Sequence, residues 1–153
     1  MATLNVTHTE SIVLNGQEFG GTNVFTAIGI SEISKRIITI TTAESVIATF
    51  SSAVASAGHY VAADVRYIRF TNRDSTNFIT LTFRNQDNDE VAIKLDAGQS
   101  FMWAADNSGG MVDVFNATQD ADAASDTALG DLTNIQADAN TASCDLEMLI
   151  ASV

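Results

Sequence analysis

The chain of 153 residues has the length of a single domain, and its 46% apolar and 17% charged composition excludes an intrinsically disordered segment. Seven Lys and Arg stand against nineteen Asp and Glu, for a formal charge of −12. That balance excludes the basic footprint of a nucleic-acid binder and the polybasic patch of a membrane-surface protein.

No run approaches the roughly 18 apolar residues of a membrane span. The opening ten residues are polar and Thr-rich, without the basic and apolar regions of a signal peptide, so none is expected. They offer no partner strand and read as a polar N-terminal arm over residues 1–10. Such an arm gains little from burial in its own domain and is expected to order against a neighbouring subunit. Residues 11–153 then form one domain. Its first strand candidates are Ser11–Leu14, Asn23–Ile28 and Lys35–Thr41, the last with Arg36, Ile38 and Ile40 alternating.

One α-helix is expected at about residues 42–57. Thr41-Thr-Ala-Glu44 has the spacing of a capping box, Val46, Ile47, Phe50 and Val54 follow at helical intervals, and Gly58 is a natural stop. Asp64–Asn72 returns to strand, and Val65–Phe70 is apolar on both faces, as suits a central strand covered twice. Phe78–Arg84 and Val91–Leu95 alternate around the turn-forming Asn85–Glu90 and predict a hairpin. Gln99–Ala104 and Met111–Phe115, separated by Asp106-Asn-Ser-Gly-Gly110, predict a second hairpin. Residues 116–131 are small and acidic and read as a long loop of a kind that is often functional. Leu132–Ala137 and Asp145–Ser152 complete the strands. The sum is a mainly β chain, an antiparallel, jelly-roll-like β-sandwich with one helix.

Catalytic chemistry finds no footing in the residue pattern. His8 and His59 stand in no metal-ligand spacing, and His59 is placed to satisfy carbonyls at the expected helix end. There is no nucleophile elbow and no phosphate-binding loop. Cys144 precedes an apolar strand and reads as a small buried residue. Asp87–Glu90 and Asp120–Asp126 could offer oxygen ligands to a cation, but neither has the order of a calcium loop, and the first is a hairpin turn. No catalytic residue, cofactor or metal is assigned. Tyr60, Tyr67 and Trp103 are too few to define a sugar-binding face.

Charge is unevenly distributed. All seven cations lie between Lys35 and Lys94, and ten acids without a cation follow Lys94. This asymmetry marks Arg66, Arg69, Arg73 and Arg84, with Asp120, Asp122 and Asp126, as candidate interface residues. Were the two groups mixed on one surface, the arginines would instead pair within the chain, with Asp64, Asp74 and Asp87 as the nearest candidates.

The succession Tyr67-Ile-Arg-Phe-Thr-Asn72, Asn77-Phe-Ile-Thr-Leu81 and Val91-Ala-Ile-Lys-Leu-Asp-Ala-Gly-Gln-Ser-Phe101 resembles small β-sandwich virion structural proteins of tailed bacteriophages. The opening Thr9–Gly16 and the ending Ala142–Val153 resemble those of marine cyanophage type. The acidic loop has no counterpart in that pattern. The resemblance implies a non-enzymatic structural protein of the virion, made in the host cytoplasm. The resemblance leaves the part of the particle open, and the first expectation is a capsid decoration or cement protein, assembling as a homo-oligomer such as a trimer and contacting other virion proteins such as the major capsid protein. A tail or neck component (fibre, adaptor or appendage module) is the alternative, and a carbohydrate-binding module a more distant one. Neither nucleic acid nor membrane is an expected partner.

Overall fold

The computed structural model describes residues 1–105, 107–115 and 129–153. Thirteen strands fill it: β1 (Ala2–Glu10), β2 (Val13–Leu14), β3 (Gln17–Glu18), β4 (Gly21–Ile30), β5 (Glu32–Ile40), β6 (Ser45–Ser51), β7 (His59–Val61), β8 (Val65–Asn72), β9 (Ile79–Asn85), β10 (Glu90–Leu95), β11 (Ser100–Ala104), β12 (Leu132–Ala139) and β13 (Cys144–Ser152). A single 3-10 turn at Ala62–Asp64 leads into β8.

From β5 onward the chain folds back on itself about the β9–β10 turn. The two halves run side by side, pairing β9 with β10, β8 with β11, β6 with β12 and β5 with β13, all antiparallel. This long doubled ribbon rolls into two sheets. One has the order β10-β9-β12-β6-β7 and the other β11-β8-β13-β5. β7 is the exception in direction, a three-residue strand parallel to β6. The sheets share one core. Ile68, Phe70, Leu146, Met148 and Ile150 from the four-stranded sheet meet Ile79, Leu81, Phe83, Ile135 and Phe50 from the five-stranded one. Period-2 alternation supplies these residues from one face of each strand.

The helix expected at 42–57 is absent. Ser45–Ser51 is β6, Ile47, Ala48 and Phe50 are buried, and Val46 and Val54, which the helical stripe would bury, are exposed. The run Val-Ile-Ala-Thr-Phe has strong β propensity, and pairing with β12 and β7 decides the outcome. Thr41 closes a local turn instead of capping a helix: its hydroxyl donates to the Ala43 carbonyl at 3.2 Å.

The expected second hairpin also differs. Ser100–Ala104 forms β11, but its partner is β8. Met111–Phe115 is irregular, with a lone bridge from Phe115 to Gly130. Gly110 sits so close to the 3-10 turn that a Cβ there would lie 2.4 Å from the Ala62 carbonyl oxygen. The close approach lets the Met111 amide donate to that carbonyl at 2.8 Å, and Met111 is fully buried in the shared core. The β9–β10 hairpin forms as expected. Residues 116–128 of the acidic loop lie outside the described residues.

The first ten residues have a partner after all. β1 pairs with β4 from Ala2↔Ile30 to Glu10↔Gly21, making a β-ribbon arm of residues 1–30 that orders within its own chain. Its base lies on the outer face of the four-stranded sheet. There Leu4, Val6, Phe25, Ala27 and Ile30 cover Tyr67, Leu149 and Ala151, with Phe25 stacked on Tyr67 at 6.4 Å between ring centroids. Tyr67 is thus the outward apolar residue of β8 that the arm covers, and burial pushes its phenol pKa up. From Thr7 to Val24, every residue but Gly20 is exposed, so the arm leaves the body beyond its base.

Candidate interaction surfaces

Three surfaces stand out. The first is the tip of the arm. Asn15 and Gly16 have φ of 53° and 78°, the positive pair of a two-residue hairpin turn, between β2 and β3. The Glu18 carboxylate accepts from the Ile12 amide at 3.1 Å and the Gly20 amide at 2.8 Å, and the Phe19 amide donates to the Ile12 carbonyl at 2.9 Å. These bonds fix a rigid end that holds Ile12, Val13, Leu14 and Phe19 between 56% and 67% exposed. Four large apolar side chains at one projecting point form a concentrated exposed patch.

The second surface is a groove between the edge strands β10 and β11. Phe83, Val91, Ile93, Phe101, Met102, Trp103 and Phe115 line a cavity of about 260 Å³. Its aromatic rings contact one another: Phe83 lies 5.3 Å from Phe101 and 5.6 Å from Trp103, and Trp103 lies 6.3 Å from Phe115. Ile93, Phe101 and Trp103 point inward by alternation, yet they remain half-exposed because the sandwich is open along this side.

The third surface is a charge cluster on the outer face of the four-stranded sheet. Glu147, nearly buried, receives Arg69, with Lys35 at 3.7 Å and Arg73 at 3.9 Å. Three cations on one carboxylate leave a local surplus of positive charge in an acidic chain. Register places Arg69 opposite Met102, one strand from the rim of the groove, whereas Glu147 lies on β13 and Lys35 on the far edge strand β5. Arg69 Nε is buried without a partner among the described residues.

The expected interface residues separate accordingly. Arg69 and Arg73 belong to this cluster. Arg66 does not reach a surface: it is buried, and Nη1 donates to the Ala63 carbonyl at 2.6 Å. Arg84 pairs with Glu90 across the β9–β10 hairpin, its Nε donating at 2.7 Å. Asp120, Asp122 and Asp126 lie outside the described residues. The paired acids are Glu147, Glu90 and Asp96, the last holding Lys94 at 2.6 Å, rather than Asp64, Asp74 or Asp87.

The remaining candidates resolve locally. Asn85 organises the Asp87–Glu90 turn, its Oδ1 accepting from the Asp87 and Asp89 amides at 2.9 Å each. Among the described residues no three His, Cys, Asp or Glu side chains converge to hold a metal ion. His8 is exposed on the arm opposite Asn23, and His59 opens β7. Cys144 is buried, and burial, with Asp74 and Asp145 nearby, pushes its thiol pKa up, away from the thiolate that a nucleophile needs. Tyr60 is buried with its hydroxyl 2.9 Å from Ser34 Oγ.

No family model matches the chain, and the curated proteins and the solved structures contain no match to it.

Proposed function

We propose that this protein is a non-enzymatic structural component of a tailed-bacteriophage virion, most directly a capsid decoration protein that joins its neighbours through the projecting arm. The observation that carries this reading is the arm itself. Thr7–Val24 is ordered, solvent-exposed on both faces and tipped with four apolar side chains, an arrangement that offers its own domain nothing and a neighbour an anchor.

The body supports the same reading by analogy of architecture. Its nested pairing β5–β13, β6–β12, β8–β11 and β9–β10 is the strand order of a jelly roll, an architecture used by viral capsid proteins and by lectins. The lectin alternative is disfavoured by the groove around Trp103. Apart from the Trp103 indole N–H the side chains lining it are apolar, whereas a sugar needs several placed polar groups to fix its hydroxyls. The acidic charge and the apolar anchor support a homo-oligomer in the particle, with neither nucleic acid nor membrane as partner.

The test is quantitative mass spectrometry of virus particles purified from the source lysate. A copy number near that of the major capsid protein is expected of a decoration protein. A small multiple of the tail symmetry would place it in the tail or neck instead. Absence from purified particles overturns the virion reading.

A further inference from the structure

We infer that the arm tip of one copy seats in the β10–β11 groove of a second copy. The inference rests on the assembly role proposed above and names the surface that receives the arm.

Both halves of the contact are present on the chain, and among the described residues neither is filled by the other. The tip's Ile12, Val13, Leu14 and Phe19 are all more than half exposed, so the arm does not fill its own groove. The groove, at about 260 Å³, is smaller than the roughly 300–1,000 Å³ of ordinary small-molecule sites. Its lining is apolar apart from the Trp103 indole N–H, and it has room for apolar side chains. Alternation puts Ile12 and Leu14 on one face of the tip, with Phe19 hydrogen-bonded opposite Ile12, which presents a compact knob. The positive-φ turn and the Glu18 bonds hold that knob in shape before it binds, so little ordering entropy remains to be lost on docking.

Charge selects the same pairing. Residues 1–30 carry Glu10 and Glu18 and neither Lys nor Arg. The groove's rim residue Met102 lies opposite Arg69 of β8, which with Arg73 at the end of that strand reaches Glu147 on β13. An apolar knob flanked by Glu10 and Glu18 therefore meets an apolar groove whose neighbouring strand carries Arg69, with Arg73 at its end. Two different patches make the contact, so it closes either as a reciprocal pair or as a ring.

Trp103, the sole tryptophan, lines the groove and reports its occupancy. The experiment compares the full chain with two double variants by sedimentation velocity and tryptophan emission over a concentration series. One variant is Leu14→Asp with Phe19→Asp, in the tip. The other is Val91→Asp with Met102→Asp, at the exposed rim of the groove. Circular dichroism checks that both keep the β fold. The wild-type chain should self-associate, with Trp103 emission moving to shorter wavelength as it does. Each variant alone should associate at least about 30-fold more weakly. Mixed, the two variants should form one-to-one pairs, because each retains the half that the other lacks. A wild-type chain that stays monomeric, or a mixture that fails to pair, overturns the inference. So does a tip variant that self-associates normally yet is lost from particles, a result that would leave the assembly role standing.

Discussion

The arm and the body are both built from alternating strands, yet they use the pattern in opposite ways. In the body, the apolar face of each strand meets the facing sheet, and Phe70, Leu81, Ile135 and Leu146 are almost wholly removed from water. In the arm, only the base of one face is covered, on Tyr67, Leu149 and Ala151, while the outer face carries Asn5, Thr7, Thr9, Thr22, Val24, Thr26 and Ile28 in solvent. Its cross-strand bonds are correspondingly weak stabilisers, such as Thr26 Oγ1 donating to Asn5 Oδ1 at 2.9 Å on the exposed face. The stability of the body comes from burial, whereas that of the arm comes from a ladder, a turn and a small patch at its root. The molecule should therefore open in two steps, with the arm below the global free energy.

The largest effect that tests this contrast is Phe70→Ala. Phe70 is fully buried and edge-on to Phe83 at 6.5 Å, so its truncation should cost about 3–5 kcal/mol by chemical denaturation. An effect below about 1 kcal/mol would mean that the two sheets do not share a packed core. Next comes Glu147→Gln, which leaves Lys35, Arg69 and Arg73 facing one another without their carboxylate. Lys35 and Arg73 are more than half exposed and well screened, so the expected loss is about 1–2 kcal/mol, falling as salt is raised. It should lower the melting temperature of the body and leave the arm amides as protected as before.

Phe25→Ala should do the reverse. It removes the stack on Tyr67 at the root of the arm. Hydrogen exchange at residues 4–6 and 25–27 should accelerate markedly, while global stability falls by only about 1 kcal/mol. Equal loss of protection in β8 and β13 would show that arm and body unfold as one unit.

Much of the body was legible because its strands are long and alternate cleanly. The hairpin of β9 and β10 and the strands β5 and β13 declare themselves by period, and the double-sided apolarity of Val65–Phe70 marked β8 as a strand with two covered faces. Two failures have physical causes. Val46, Ile47, Phe50 and Val54 fit a helical stripe by spacing alone, and only long-range pairing with β12 decides between helix and strand. Met111–Phe115 alternates like a strand, but the close approach of Gly110 to Ala62 turns it aside. The arm was half visible. In residues 1–10 the apolar signal is only the pair Leu4 and Val6, too short to mark a strand by itself, yet Asn15-Gly16 between short apolar runs is the strongest local sign of a hairpin and would have supplied the partner. Of the candidate interface residues, charge asymmetry pointed to Arg69 and Arg73 but also to Arg66, whose burial no charge pattern reveals.

The smallest expected effect uses pH to assign stability to the body alone. Two carboxyls there shift in opposite directions. The amides of Asn77 and Thr76, donating to Asp74 at 2.6 and 2.7 Å, hold its pKa below the ordinary value. Asp74 therefore contributes stability above its unfolded pKa, and that contribution is lost as pH falls toward the lowered folded value. Asp138, on β12 opposite Thr80, is held above the ordinary aspartate value by burial and then by the charge of Glu44. The folded state there binds its proton more tightly than the unfolded chain does, so stability declines as pH rises from 3.8 through the folded value, and the ionised group is a standing cost at neutral pH. Asp138→Asn removes that cost and should raise the melting temperature slightly at pH 7, by the equivalent of a few tenths of a kcal/mol. Well below the unfolded value the carboxyl is protonated in both states, so the variant and the wild-type chain should converge. Because both carboxyls sit in the body, a chain with residues 11–20 replaced by a two-residue Asn-Gly turn should show the same convergence. A pH-dependent difference between that shortened chain and the wild type would mean that the arm takes part in the global unfolding step after all.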